Sequence, residues 1–160
     1  MFNQLAYVPA MASQTFYMAI NKFEDFKYYY MALDNGWRVG PVAEQDNHDK
    51  TWGIDPRGNL AAVYANALTY EDLIEAFRAR RIYATNDRGM KMWFEANGQP
   101  MGAELATGTV TFEINVHTPD PKGVRLITNG GATVKEGCDK RIELEDSIYF
   151  VCTASYTLPV

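Results

Sequence analysis

The chain has 160 residues, 47% of them hydrophobic and 13% aromatic, enough apolar material for one domain or two small ones. Its formal charge of −5 argues against an electrostatic nucleic-acid binder, because holding phosphates takes clustered Lys and Arg. No segment approaches the roughly 20 consecutive apolar residues of a membrane span, and no basic run followed by an apolar core marks a signal peptide. The expected partners therefore include neither nucleic acid nor membrane, and the compartment stays open.

Taken in order, residues 1–22 read as irregular, with Pro9, Ser13 and Asn21 interrupting a Met- and aromatic-rich stretch. Phe2, Leu5, Tyr7, Val8, Phe16, Tyr17, Met18 and Ile20 need a surface to cover, which makes this stretch a candidate for disorder or self-association into a homo-oligomer. From Lys22 the period becomes helical: Phe23, Phe26, Tyr30 and Leu33 form one apolar stripe. Asp34-Asn35-Gly36 supplies the stop, with Gly36 suited to the left-handed position. Trp37 to Ala43 predicts a short strand that Gly40-Pro41 breaks at its start or leaves on an edge.

Directly after that strand stands Glu44-Gln45-Asp46-Asn47-His48-Asp49. Asp46 and His48 are two apart, a spacing that points both side chains to one face of a strand end. A carboxylate and an imidazole on one face can ligate one metal ion or neighbouring ions of a cluster. The same pair can equally be a hydrogen-bonded loop contact, and the spacing alone leaves both readings open.

Asp49 to Leu60 is a loop rich in turn formers, among them Gly53, Asp55-Pro56 and Arg57-Gly58-Asn59. Trp52 within it either shields a site or packs on the loop. Ala61 to Ala67 predicts a small-residue strand. Thr69-Tyr70-Glu71-Asp72 has the form of a capping box with Asp in place of Glu. It opens a helix that buries Leu73, Ile74, Ala76 and Phe77, and Arg78, Arg80 and Arg81 end it as a cationic last turn. Ile82-Tyr83-Ala84-Thr85 is an extended exit in which Tyr83 is expected in the core.

After Asn86-Asp87-Arg88-Gly89 the period changes to two. Met90, Met92 and Phe94 alternate with Lys91, Trp93 and Glu95, and Asn97-Gly98 predicts a hairpin turn. Val110, Phe112, Ile114 and Val116 are expected inward, with Thr111, Glu113 and Asn115 outward. Val124 to Thr128 and Ala132 to Lys135 form a second hairpin around Asn129-Gly130-Gly131, and Arg141 to Leu144 and Ile148 to Thr153 follow. Strands at this spacing predict an antiparallel sandwich. His117, beside a Pro-rich turn, is expected at the surface. Cys138 and Cys152 have no metal-ligand spacing; they read as buried free thiols unless the fold brings their Cα atoms within about 7 Å.

Two blocks, ALDNGWRVGPVAEQDNHDKTWG from Ala32 and LTYEDLIEAFRARRIYATNDRGMKMWFEANGQPMG from Leu68, carry a resemblance. In that order they resemble the C-terminal part of PHP-type metallohydrolases, in the CehA/McbA-like branch. There a barrel strand ends in Asp-x-His, and a helix with an Arg-rich end leads into Tyr-Ala-Thr. The resemblance implies an α+β chain: the C-terminal remnant of a PHP-like α/β barrel over residues 1–87, then an antiparallel immunoglobulin-like β-sandwich over 88–160. It carries over Asp46 and His48 as metal ligands, with Glu44, Asn47 and Asp49 as candidates to hydrogen-bond them. It implies a divalent metal (Zn, Mn or Fe) and a small-molecule ester or phosphoester substrate. No catalytic residue is carried over, because such enzymes use further ligands, including an early His-x-His, that this sequence lacks. The expectation is therefore the tail of a hydrolase, with little or no turnover as an isolated chain. The alternative is a non-catalytic binding or interaction module in which Trp93 is the surface candidate.

Overall fold

A computed structural model describes residues 17–20, 26–45, 48, 50–51, 58–119, 123–145 and 147–159. The protein is mixed α/β; the described residues form two short α-helices and strands that pair mostly antiparallel. It divides into two compact units, Met1–Arg88 and Gly89–Val160. The change from helical period to period two falls at the same place in the chain.

Unit 1 begins, among the described residues, with strand β1 (Tyr17–Ile20), inside a stretch that reads as irregular in the sequence. The correction comes from tertiary pairing: β1 lies parallel to β2 (Gly40–Ala43), in register from Tyr17 opposite Gly40 to Ile20 opposite Ala43. Residues 1–16 and 21–25, Phe23 included, lie outside the described residues. Between the two strands runs helix α1 (Phe26–Asp34), so β1, α1 and β2 form a βαβ crossover. The helix ends as its sequence predicts. Gly36 sits at φ +80°, its N–H donates to Leu33 O, and the Trp37 N–H donates to Ala32 O. Those two bonds are the Schellman pair, which satisfies carbonyls the helix itself leaves open. The apolar stripe is rotated from expectation: Leu33 is exposed, and Tyr29 turns inward to donate from its hydroxyl to Val39 O at 3.3 Å. Burial pushes the Tyr29 phenol up to about 12, with Tyr30 adding to the shift.

β2 starts at Gly40, later than the Trp37 expected, although Val39 is already buried. It has one hydrogen-bonded neighbour among the described strands, so only alternate N–H groups are called on and Pro41 is tolerated. β3 (Leu60–Val63) pairs antiparallel with β4 (Ile82–Thr85), and helix α2 (Tyr70–Arg78) connects them. Thr69 caps α2 by accepting from the Asp72 N–H, and its hydroxyl in turn donates to the Asp72 carboxylate. The face of α2 that carries Ala76, which is fully buried, is the one its sequence predicts.

Unit 2 is a five-stranded antiparallel sheet with a separate two-stranded hairpin. In chain order the strands are β5 (Lys91–Ala96), β6 (Gln99–Pro100), β7 (Thr109–Thr118), β8 (Arg125–Thr128), β9 (Ala132–Glu136), β10 (Lys140–Glu143) and β11 (Phe150–Pro159). The large sheet runs β10-β11-β7-β5-β6, and β8 pairs with β9. Asn97 and Gly98 both take positive φ, the type I′ geometry that matches strand twist. Asn97 does more than turn the chain: its side-chain oxygen accepts from the Thr111 N–H at 2.8 Å and ties the hairpin to β7. Along β7, Val110, Ile114 and Val116 are buried while Glu113 and Asn115 are exposed, the alternation of a sheet with one covered face.

The core of unit 2 is Val116, Phe150 and Cys152, packed against Met90, Met92, Val124 and Cys138. Phe94 stacks on Phe112 with ring centroids 5.8 Å apart, and the Arg141 guanidinium lies 3.7 Å over the Phe150 ring. Cys138 and Cys152 are joined in a disulfide, with Cα atoms 5.4 Å apart. This corrects the free-thiol expectation: the turn after β9 folds back over the inner face of β11, a proximity that no sequence spacing reveals. Gly123, at φ +77°, lies so close that a Cβ there would come within 2.5 Å of the Cys138 sulfur. Asp139 accepts from Lys135 and, at 2.7 Å, from the Ser155 N–H, which holds its carboxyl below the usual range.

Candidate functional site

Three close approaches orient the strands of unit 1. At their starts, Gly40 of β2 faces Ile82 of β4, and a Cβ on Gly40 would stand 2.6 Å from Ile82 Cγ1. At their ends, the Asn59 amide nitrogen donates to Glu44 O at 2.7 Å, one residue past β2. Gly58, at φ +68°, would meet Asn86 O at 2.5 Å if it carried a Cβ, one residue past β4. With start meeting start and end meeting end, β2 and β4 run in the same direction, as β1 and β2 do. The parallel strands thus deliver their C-terminal ends to one edge of the unit. In parallel α/β structures that edge is where loops carry polar side chains to a ligand.

Glu44, Gln45 and His48 come off the end of β2 at this edge. Glu44 is half-buried, the Gln45 amide nitrogen is buried, and His48 is exposed. Asp46, Asn47 and Asp49 lie outside the described residues, as does Trp52. Asn86 and the half-buried Asp87 come off the end of β4 at the same edge. There Thr85 Oγ1 accepts from the Asp87 N–H and donates to Asp87 O, both at 3.0 Å, which closes a tight turn. Among the described residues no group of three or more His, Cys, Asp or Glu could hold a metal ion. What the described residues offer is one accessible imidazole on a braced loop root.

The other candidates fall elsewhere. Tyr83 is buried, its ring 5.8 Å from that of Tyr64, so it packs in the core. Arg81 is structural: it pairs with Glu75, donates from Nε to Tyr64 O at 3.2 Å, and closes the end of α2 by donating its backbone N–H to Ala76 O. Arg80 takes φ +59° and fills the left-handed position that glycine fills after α1. Trp93 is 47% exposed on the outer face of unit 2, in register with Asn115 of β7. His117 shares that outer face but is half-buried, between Lys91 and Val151 on the flanking strands.

Sequence reading treats Gly58-Asn59 only as turn formers. Their bracing role depends on which strand ends meet, and a loop sequence does not state that. The polar Asn immediately before a strand was the available signal.

No protein-family model matches the chain, and no solved structure does. The chain is similar to an uncharacterized protein of Chlamydia pneumoniae, 37% identical over 79 aligned residues. That match covers 44% of this chain and 13% of the relative, so the chain spans a small part of the length of the curated relative it matches.

Proposed function

We propose that the chain is the C-terminal portion of a metal-dependent hydrolase of the PHP type, with Asp46 and His48 contributing ligands to a divalent ion. The observation that carries this reading is the parallel β1-α1-β2 crossover with the Asp-x-His directly past the end of β2. The two resemblance blocks support it, since the first lies in unit 1 and the second runs from unit 1 into the start of unit 2. Mixed carboxylate and imidazole donors suit Zn, Mn or Fe. A divalent ion supplies Lewis-acid activation of water and of the ester or phosphoester to be cleaved.

On this reading each residue has a limited task. His48 offers a ring nitrogen and Asp46 a carboxylate oxygen; Asn47 orients the loop between them, and Glu44 and Asp49 accept hydrogen bonds at its margins. One pair of ligands is fewer than a catalytic cluster needs, so the remaining ligands come from outside this sequence and the isolated chain turns over little substrate. Unit 2 is then the immunoglobulin-like appendage of the barrel. The disulfide supports an oxidising compartment as the place where the protein works, because such bonds persist there.

The test is metal content. Protein purified without chelator, or reconstituted with Zn²⁺ or Mn²⁺ and desalted, should retain metal that Asp46→Ala and His48→Ala both lose. Equal content in all three proteins would reject ligation by this pair. A second reading, favoured by the exposure of Trp93 on the open sheet face, makes unit 2 a binding module. It predicts that Trp93→Ala abolishes binding in a glycan or protein screen that the parent chain passes.

A further inference from the structure

We propose that Asn59 is the positioning residue of this strand-end site, setting the root of the loop that carries His48; the functional part of the claim rests on the metal-site reading above.

The geometry is that of a brace fixed at one side and bonded at the other. Asn59 stands directly before β3, and the next residue, Leu60, is held in register opposite Thr85 of β4. On its other flank Gly58 lies against the Asn86 carbonyl with no space for a Cβ, and its positive φ suits glycine above other residues. The backbone at residues 58–60 is therefore located by β4, independently of β2. From this anchor the Asn59 side chain reaches 15 residues back in sequence and donates to Glu44 O at 2.7 Å in a partly buried setting. Glu44 is the first residue past β2. Its carbonyl accepts the Asn59 amide, which ties the chain leaving β2 to the start of β3.

The consequence reaches His48 by chain length. His48 follows Glu44 by four positions, and an extended chain covers at most about 3.6 Å per residue, so the His48 Cα stays within about 14 Å of the Glu44 Cα. Losing the Asn59 bond removes a tie at the root of that arc. An amide is needed: Asn59→Asp would put a carboxylate oxygen, with no hydrogen to give, against the carbonyl. The brace acts through Glu44.

Two readouts on the full chain separate this proposal from its parent reading. Amide hydrogen exchange across residues 44–51 should rise about tenfold in Asn59→Ala, the equilibrium factor of one net hydrogen bond. Exchange in α2 should stay unchanged, and Asn59→Gln, which keeps the donor, should lie between the two. Zn²⁺ affinity measured by calorimetry should weaken about tenfold in Asn59→Ala, the usual cost of losing a hydrogen bond that orients a ligand, with the thermal midpoint moved by no more than a few degrees. If exchange in 44–51 matches the parent chain, or rises equally throughout unit 1, the brace is rejected whatever the metal does. If exchange rises locally while Zn²⁺ affinity is unchanged, the brace holds the loop but the positioning role is rejected. If the parent chain and His48→Ala bind Zn²⁺ equally poorly, the metal reading fails; the positioning role for a metal falls with it, while local exchange still decides the brace itself.

Discussion

The two units solve the problem of holding a small structure together in different ways. Unit 2 relies on a continuous sheet, a buried apolar face and one covalent cross-link between Cys138 and Cys152. Among its described residues unit 1 has short strands of four residues and two helices of nine, and it relies on close backbone approaches and helix ends. Gly40 against Ile82, Gly58 against Asn86, the Gly36 and Arg80 left-handed stops and the Asn59 bond to Glu44 all do local work. The difference teaches where function can be carried. A rigid sheet presents a fixed face, whereas a parallel crossover leaves its strand-end loops free for chemistry once their roots are braced.

The largest effect that would sharpen this contrast is on the disulfide. Its cysteines are 14 residues apart, and closing a loop of that size is worth about 3 kcal/mol. Reduction, or Cys138→Ala with Cys152→Ala, should lower the stability of unit 2 by about 2–4 kcal/mol. Denaturant titration followed by Trp93 fluorescence, with Trp37 and Trp52 replaced by Phe, would report it. A loss of comparable size in unit 1 would break the comparison.

Next comes Gly40→Ala. The added Cβ would stand 2.6 Å from a side chain that is 2% exposed and has nowhere to go. Overpacking of this kind costs about 1–3 kcal/mol. The loss should fall on unit 1, as seen by Trp37 fluorescence, and leave the unit 2 transition in place.

Sequence made much of this architecture legible, and the reasons are local. Asn97-Gly98, Gly36 and Thr69 announce a turn, a stop and a cap because each is a short-range chemical requirement met by few residues. The alternation along β7 is legible because one covered face imposes a period of two. The strand at Tyr17–Ile20 was not, since its pairing partner lies more than twenty residues away. The inward turn of Tyr29 in place of Leu33 depends on Val39, beyond the helix itself. The cysteine pairing failed for the same reason: it follows from how a turn folds back over a sheet. Of the candidate site, the residue types and the strand-end position of His48 were legible, whereas the Asn59 brace emerges only from two strand ends meeting.

Alkaline pH offers a smaller effect that again separates the units. The Tyr29 phenol is raised from 10.0 to about 12 by burial, so the folded state binds its proton more tightly than the unfolded state. The stability this contributes is complete below pH 10 and is lost as pH rises towards 12. Thermal midpoints of unit 1 should fall through that window, and Tyr29→Phe should remove the Tyr29 contribution to the slope. The smallest expected effect is a gain. Arg80 holds φ +59° at the end of α2, and Arg80→Gly relieves a left-handed backbone that costs an L-residue about 1 kcal/mol. A midpoint for unit 1 that rises slightly, with unit 2 unmoved, would match.

The central claim is that the strand-end loop of unit 1 holds a metal through Asp46 and His48. Titrating the full chain with Co²⁺ and recording its visible absorption tests this most directly, because the bands report ligands bound to the ion. The account predicts bands that saturate at one ion per chain and vanish in both His48→Ala and Asp46→Ala. Bands unchanged in those variants, or no bands in the parent chain at millimolar ion, would contradict it.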